Sequence, residues 1–154
     1  MRRPALAVAL LAGLAAAAAG IGRAPAAQPL PVETYSRECG ACHMAYPGQL
    51  LPTRSWQALL RGLDHHFGEN ASLDPATVAS IAAYLRANAA DAGGRRTPVL
   101  EGLGPNDVPL RITDTPFWHD VHEEVSPARF RSARVKTRSN CLACHRGGSG
   151  GDGD

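Results

Sequence analysis

Apolar residues along this chain come in two kinds of run. The first is a single block, Ala5 to Ile21, almost unbroken and preceded by Arg2 and Arg3. Beyond it, apolar residues recur at helical spacing, three or four apart, with polar positions between them. In "RSWQALLRGLDHHFGEN" the stripe is Trp56, Leu59, Leu60, Leu63 and Phe67, Ser55 is placed to cap it, and the helix is expected to end near Gly68. In "SLDPATVASIAAYLRANAAD" Asp74 caps, Pro75 takes the first turn, and Val78, Ile81, Ala82 and Leu85 form the stripe, with Gly93-Gly94 as the stop. In "TDTPFWHDVHEEV" Pro116 sits near the first helical position behind Thr113, Asp114 or Thr115, and Phe117, Trp118, Val121 and Val125 share a face. No segment carries a convincing strand alternation. The pattern predicts a mainly α fold with little or no sheet.

The first block reads as a signal peptide over residues 1–26. It has a basic start, an apolar stretch and the small-residue site Ala24-Pro25-Ala26, so cleavage is expected after Ala26. An uncleaved anchor is the competing reading, but the run falls short of the ~20 residues that span a bilayer. No later segment is apolar enough to cross one, and the mature protein is expected in the periplasm. Cleavage also changes the charge. Three of the 16 Lys and Arg lie in the leader and all 14 acids lie beyond it, which leaves the mature chain at −1. A nucleic-acid partner therefore has little support. With only three Phe, two Trp and three Tyr, a protein-only core would be thin.

All four cysteines fall in two copies of one pattern, "CGACH" at Cys39 to His43 and "CLACH" at Cys141 to His145. An exported chain with four cysteines would ordinarily suggest two disulfides. A C-x-x-C followed at once by His is instead the attachment signal for haem c: two thiols add across the vinyl groups and the histidine becomes the proximal ligand. A thioredoxin-like site would want a βαβ setting, and a zinc ribbon would want its pairs ~15–20 residues apart. Neither fits. Cys39, Cys42 and His43 are thus assigned to one haem, and Cys141, Cys144 and His145 to the other. The expected architecture is a cytochrome-c-like dihaem domain. Residues 27–111 form a haem-1 lobe ending in a Gly/Pro-rich connection (92–111), 112–149 form a haem-2 lobe, and 150–154 form a disordered tail. The segment "MAYPGQLLPTR" should wrap the first haem as a loop.

The second axial ligand separates electron carrier from catalyst or gas binder. Of the two methionines, Met1 leaves with the leader and Met44 adjoins the proximal His43, so neither reaches a distal position. Lys136, the only lysine, is an outside candidate. Four histidines remain, as the pairs His65/His66 and His119/His122. On a continuous helix, His66 lies roughly 80° from the centre of its stripe while His65 points almost directly away. His122 lies roughly 85° from its stripe and His119 roughly 145°. His66 and His122 are favoured. The segment from Ser126 to Arg146 holds six basic residues and no acid, which suits either docking to an acidic redox partner or pairing with haem propionates.

"ECGACHMAYPGQLLPTRSW" with "HFGENASLDP", "RITDTPFWHDVHEEV" and "VKTRSNCLACH" together resemble the small soluble dihaem cytochromes c, the DHC family, over nearly all of the mature chain. The resemblance implies two covalently bound haems c, each with two axial histidines. The distal ones precede Phe-Gly and lie in a His-x-Glu-Val context, which correspond to His66 and His122. It also implies electron transfer from a membrane b-type cytochrome to a high-spin, oxygen-binding cytochrome c, sphaeroides haem protein, and no enzymatic reaction. The alternative is a haem enzyme or gas-binding protein with one open iron for peroxide, nitrite, oxygen or nitric oxide. That role would want an acid–base group over the metal.

Overall fold

A computed structural model of the chain describes residues 31–145. The signal segment 1–26, the tail 150–154 and Arg146 lie outside the described residues. Five α-helices and a series of single 3-10 turns make up the regular structure, and the described residues contain no strand, only an isolated bridge between His66 and Glu69.

Helix α1 (Pro31–Cys39) starts on a proline, carries Glu33 in its first turn and Arg37 in its last, and buries Thr34 and Tyr35. Both charges complement the helix dipole. Helix α3 (Pro75–Asn88) forms as its sequence dictates. Asp74 Oδ1 accepts the amides of Ala76 and Thr77, each at 3.0 Å, and Ile81 and Leu85 are buried. Tyr35 of α1 stacks on Tyr84 of α3 at 4.8 Å between ring centroids. Together with Leu51, Trp56, Ala89 and Ala92, these residues form the core.

Helix α3 ends earlier than its glycines suggest. The stop is at Asn88, where Ala89 turns extended (φ −61°, ψ 162°) and the Ala90 amide donates to the Leu51 carbonyl at 3.0 Å. The chain leaves the helix to pair with the proline-rich loop before α2, and Gly93 and Gly94 serve a separate 3-10 turn. That loop lies tight against the helix end: a Cβ on Gly48 would sit 3.0 Å from the Asn88 carbonyl oxygen. Trp56 Nε1 donates to the Gly48 carbonyl at 2.7 Å and closes the loop from inside.

Helix α2 (Thr53–Arg61) departs from expectation at both ends. Ser55 does not cap it; Ser55 is inside the helix, fully buried, and its hydroxyl has no hydrogen-bond partner among the described residues. The cap comes from Asp91 instead, whose Oδ1 accepts the Thr53 amide at 2.8 Å and the Thr53 hydroxyl at 2.7 Å. At the other end the helix stops at Arg61, not near Gly68, as the Gly62 amide turns back to the Leu59 carbonyl. A 3-10 turn over Leu63–His65 follows.

The connection 92–111 is fastened to α2. The Arg54 guanidinium donates to the carbonyls of Gly104, at 2.9 Å, and Asp107, and Val99 is buried. Thr115 then caps α4 (Pro116–Val121), accepting the Trp118 amide at 3.2 Å, and Ser126 caps α5 (Pro127–Phe130). Helix α4 is shorter than its apolar stripe predicts, and Val121 is 54% exposed. The Trp118 carbonyl, which a continued helix would offer to the His122 amide, is taken by the His122 ring.

Candidate haem-binding site

The first C-x-x-C-H opens where α1 closes. The Gly40 amide donates to the Ser36 carbonyl at 3.1 Å, and a Cβ at Gly40 would lie 2.2 Å from that carbonyl oxygen. Glycine is thus a steric requirement of this turn. The second motif is a 3-10 turn, Cys141–Ala143, whose Cys141 carbonyl accepts the amides of Cys144 at 3.1 Å and His145 at 2.9 Å. It tolerates Leu142, which is 50% exposed. No disulfide joins any of the four cysteines, which leaves all of them for haem attachment. Cys39 and Cys141 are half-buried and Cys42 and Cys144 exposed, so each motif offers one anchored and one accessible sulfur. Burial first, then the neighbouring Glu38 carboxylate, pushes the Cys39 thiol up to about 11. Burial likewise raises Cys141. Before haem is attached, both are therefore uncharged S–H groups.

Each C-x-x-C-H histidine faces one of the two histidines favoured as its distal partner. His43 and His66 have ring centroids 6.2 Å apart, and His145 and His122 have theirs 6.1 Å apart. Two imidazoles bound across one metal, each nitrogen about 2 Å from it, place their centroids about 6 Å apart. Both gaps fit one iron. Among the other histidines, the ring contact of His43 is with His66 and that of His145 with His122, not with His65 or His119.

Two of these rings are also fixed in tautomer. His43 Nδ1 lies 2.7 Å from the Met44 carbonyl and His122 Nδ1 2.9 Å from the Trp118 carbonyl. A carbonyl oxygen only accepts, so each Nδ1 carries the proton and each Nε2 keeps its lone pair for a metal. Such hydrogen bonds hold a ligand's plane and raise its basicity. His66 is held below the usual histidine pKa by burial first, then by His43 and by the Arg111 guanidinium, which favours the neutral ring that ligation requires. His65 is a surface residue, its side chain 87% exposed and its Nδ1 2.9 Å from Asp64. His119 is exposed and meets Trp118 edge-on at 5.4 Å. Lys136 is exposed, with φ +69°.

His66 is not on a helix. It opens a tight turn in which Phe67 (φ +54°) and Gly68 (φ +104°) are both left-handed, closed by the Glu69 amide on the His66 carbonyl at 3.1 Å. Arg111 caps this turn from outside, its guanidinium 3.9 Å from the Phe67 ring centre. His122 sits just past α4, stacked on Trp118 at 4.5 Å with 18° between planes. Trp118 packs in turn on Phe130.

Three supporting residues carry no mark of their role in the sequence. Trp118 reads there as ordinary stripe, Arg111 as part of a loop, and Tyr46 as a loop aromatic. Tyr46 stacks on His43 at 5.0 Å, and its hydroxyl donates to the Ser139 carbonyl at 2.8 Å, 93 residues away. The two motifs consequently share a cleft of about 340 Å³, with Cys42 and His43 on one side and Cys141 and Leu142 on the other.

Comparison with known proteins agrees with this chemistry. The family described as DHC, dihaem cytochrome c, matches residues 35–152. A dihaem cytochrome c from Rhodobacter sphaeroides is 49% identical, with a TM-score of 0.69 over 73% of this chain and 89% of its own. A second structure of DHC purified from that organism is 46% identical, with a TM-score of 0.61 over 73% of this chain and 88% of its own. A dihaem cytochrome c from Shewanella baltica is 38% identical, with a TM-score of 0.60 over 75% of this chain and 80% of its own. Comparison with curated proteins finds no match. Two C-x-x-C-H motifs, two histidine pairs spaced for one metal each, and a family match over most of the chain lead to one conclusion: the chain belongs to the dihaem cytochrome c family and binds two haems c covalently.

Proposed function

We propose that the protein is an electron carrier in which both irons are closed by two histidines, His43 with His66 and His145 with His122. A bound haem iron supplies reversible one-electron chemistry. His43 and His122 are held in plane by their Nδ1 bonds to carbonyls, and each haem would be anchored through two sulfurs. The observation that carries this reading is the pair of near-equal histidine separations, 6.2 and 6.1 Å. An enzyme or gas binder would need one proximal histidine facing open space. Histidine in place of methionine also implies reduction potentials below those of His/Met cytochromes.

Two further parts of the reading rest on the leader and on the family. Export to the periplasm follows from residues 1–26, and purified protein is expected to begin at Ala27. The proposed redox partners are a membrane b-type cytochrome as donor and a high-spin cytochrome c as acceptor. Among the described residues no helix is long and apolar enough to cross a membrane.

The test is the spectrum of the dithionite-reduced protein before and after carbon monoxide, with haem counted per chain. Two haems and no spectral change are expected. Rapid carbon monoxide binding at either haem would overturn the closed-iron reading.

A further inference from the structure

Tyr46 is tied to the molecule in three directions. Its backbone carbonyl accepts the hydroxyl of Tyr35, a core residue 4% exposed. Its ring lies on His43, with 29° between the planes. Its hydroxyl reaches the Ser139 carbonyl, two residues before the second attachment motif. Burial first, and then Cys141 nearby, holds the phenol above its ordinary pKa, while the bond to Ser139 works the other way. The group therefore remains a neutral donor.

The second motif follows turns and bends over 131–140, with no helix or 3-10 turn between α5 and Cys141. Asn140 fixes that run to itself, its Nδ2 donating to the Val135 carbonyl at 3.0 Å, and Arg134 does the same through the Ala143 carbonyl at 3.0 Å. These bonds shape the segment without placing it against the first site. Tyr46 does place it, from the same cleft that Cys42, His43, Cys141 and Leu142 line.

We propose that Tyr46 is the positioning residue that couples the two haem sites: its ring orients His43, its hydroxyl holds the segment leading into Cys141, and together they set the electron exchange between the haems. The inference rests on the closed-iron reading for its function, but the contact itself does not depend on it. Electron tunnelling falls steeply with separation, so a segment released from Ser139 would slow exchange without altering either ligand set.

Tyr46→Phe keeps the ring on His43 and removes only the hydrogen bond. One such bond shifts a local equilibrium by about fivefold. Amide hydrogen exchange over residues 137–145 is therefore expected to rise by about that factor, and interhaem electron exchange after flash reduction to slow. Haem count and the low-spin spectrum should stay as in the parent. Tyr46→Leu, which also removes the ring from His43, should slow exchange further. An interhaem rate in Tyr46→Phe equal to the parent's would overturn the proposal, whatever the segment does. Carbon monoxide binding by the parent would instead count against the ligand assignment, and the amide exchange would still report on the contact.

Discussion

His122 and Trp118 hold each other at two points. The imidazole stacks on the indole at 4.5 Å, and its Nδ1 donates to the backbone carbonyl of the same residue at 2.9 Å. The tryptophan thus sets both the plane and the tautomer of a proposed haem ligand one helical turn away. Truncating it to Ala should cost roughly 3–5 kcal/mol of folding stability, the usual range for a buried tryptophan. A specific signature should go with that loss: the second haem becomes partly high-spin on warming while the first does not. Variable-temperature absorption would show this, and equal behaviour of both haems would count against the role.

Single replacement of the distal histidines separates ligands from neighbours. His66→Ala and His122→Ala should each leave one haem high-spin and open to carbon monoxide. His65→Ala and His119→Ala should leave both haems closed, since those rings are exposed and face neither proximal histidine. A high-spin haem in either neighbour variant would reverse the assignment at that site.

The two attachment motifs should respond oppositely at their second position. Gly40→Ala drives a Cβ to within 2.2 Å of the Ser36 carbonyl oxygen, a clash with backbone that cannot rotate away. A loss of roughly 1–3 kcal/mol is expected, with a lower yield of the first haem. Leu142→Gly should change stability little by comparison, because Leu142 is half exposed. Haem stoichiometry by pyridine haemochrome and chemical denaturation would measure both.

Asp91 gives the fold an acid-sensitive joint. Burial works to raise its pKa, but the Thr53 hydroxyl and amide outweigh burial and hold it below the usual carboxylate value. A depressed folded pKa stabilises above the unfolded value, near 3.9, and that stability is lost as pH falls through the lowered folded value. Asp91→Ala should therefore cost about 1 kcal/mol at pH 7, as for other lost helix caps, and much less once Asp91 is protonated in the parent. Denaturation of parent and variant at both pH values would show whether the gap closes.

What the sequence made legible was chemistry of fixed local spacing. Two thiols and an imidazole must meet one haem, so Cys39, Cys42, His43, Cys141, Cys144 and His145 could be grouped without any fold. Helix α3 was legible for a similar reason, since Asp74, Pro75 and the Ile81–Leu85 stripe act within a few residues of one another. Long-range contacts were not. Ser55 looked like the cap of α2 because Asp91 stands 38 residues away. His66 was singled out on a helix that stops at Arg61; what brings it opposite His43 is a left-handed turn through Phe67 and Gly68. His122 likewise stands where α4 has already ended, because its own ring captured the carbonyl that would have prolonged it. Nothing near Tyr46 in sequence points to Ser139.

The planes of the two histidine pairs differ, 24° apart for His43 and His66 and 77° for His122 and His145. With iron held between each pair, each imidazole would donate π density into an iron d orbital lying normal to its own ring. Near-parallel rings act on the same orbital and split the pair; near-perpendicular rings act on both and leave them almost degenerate. The oxidised protein should accordingly give two low-spin signals in frozen-solution electron paramagnetic resonance, a rhombic one from the first haem and a highly anisotropic one from the second. One chain with one kind of ligand would then carry two magnetically distinguishable irons, each of which can be followed while the other changes oxidation state.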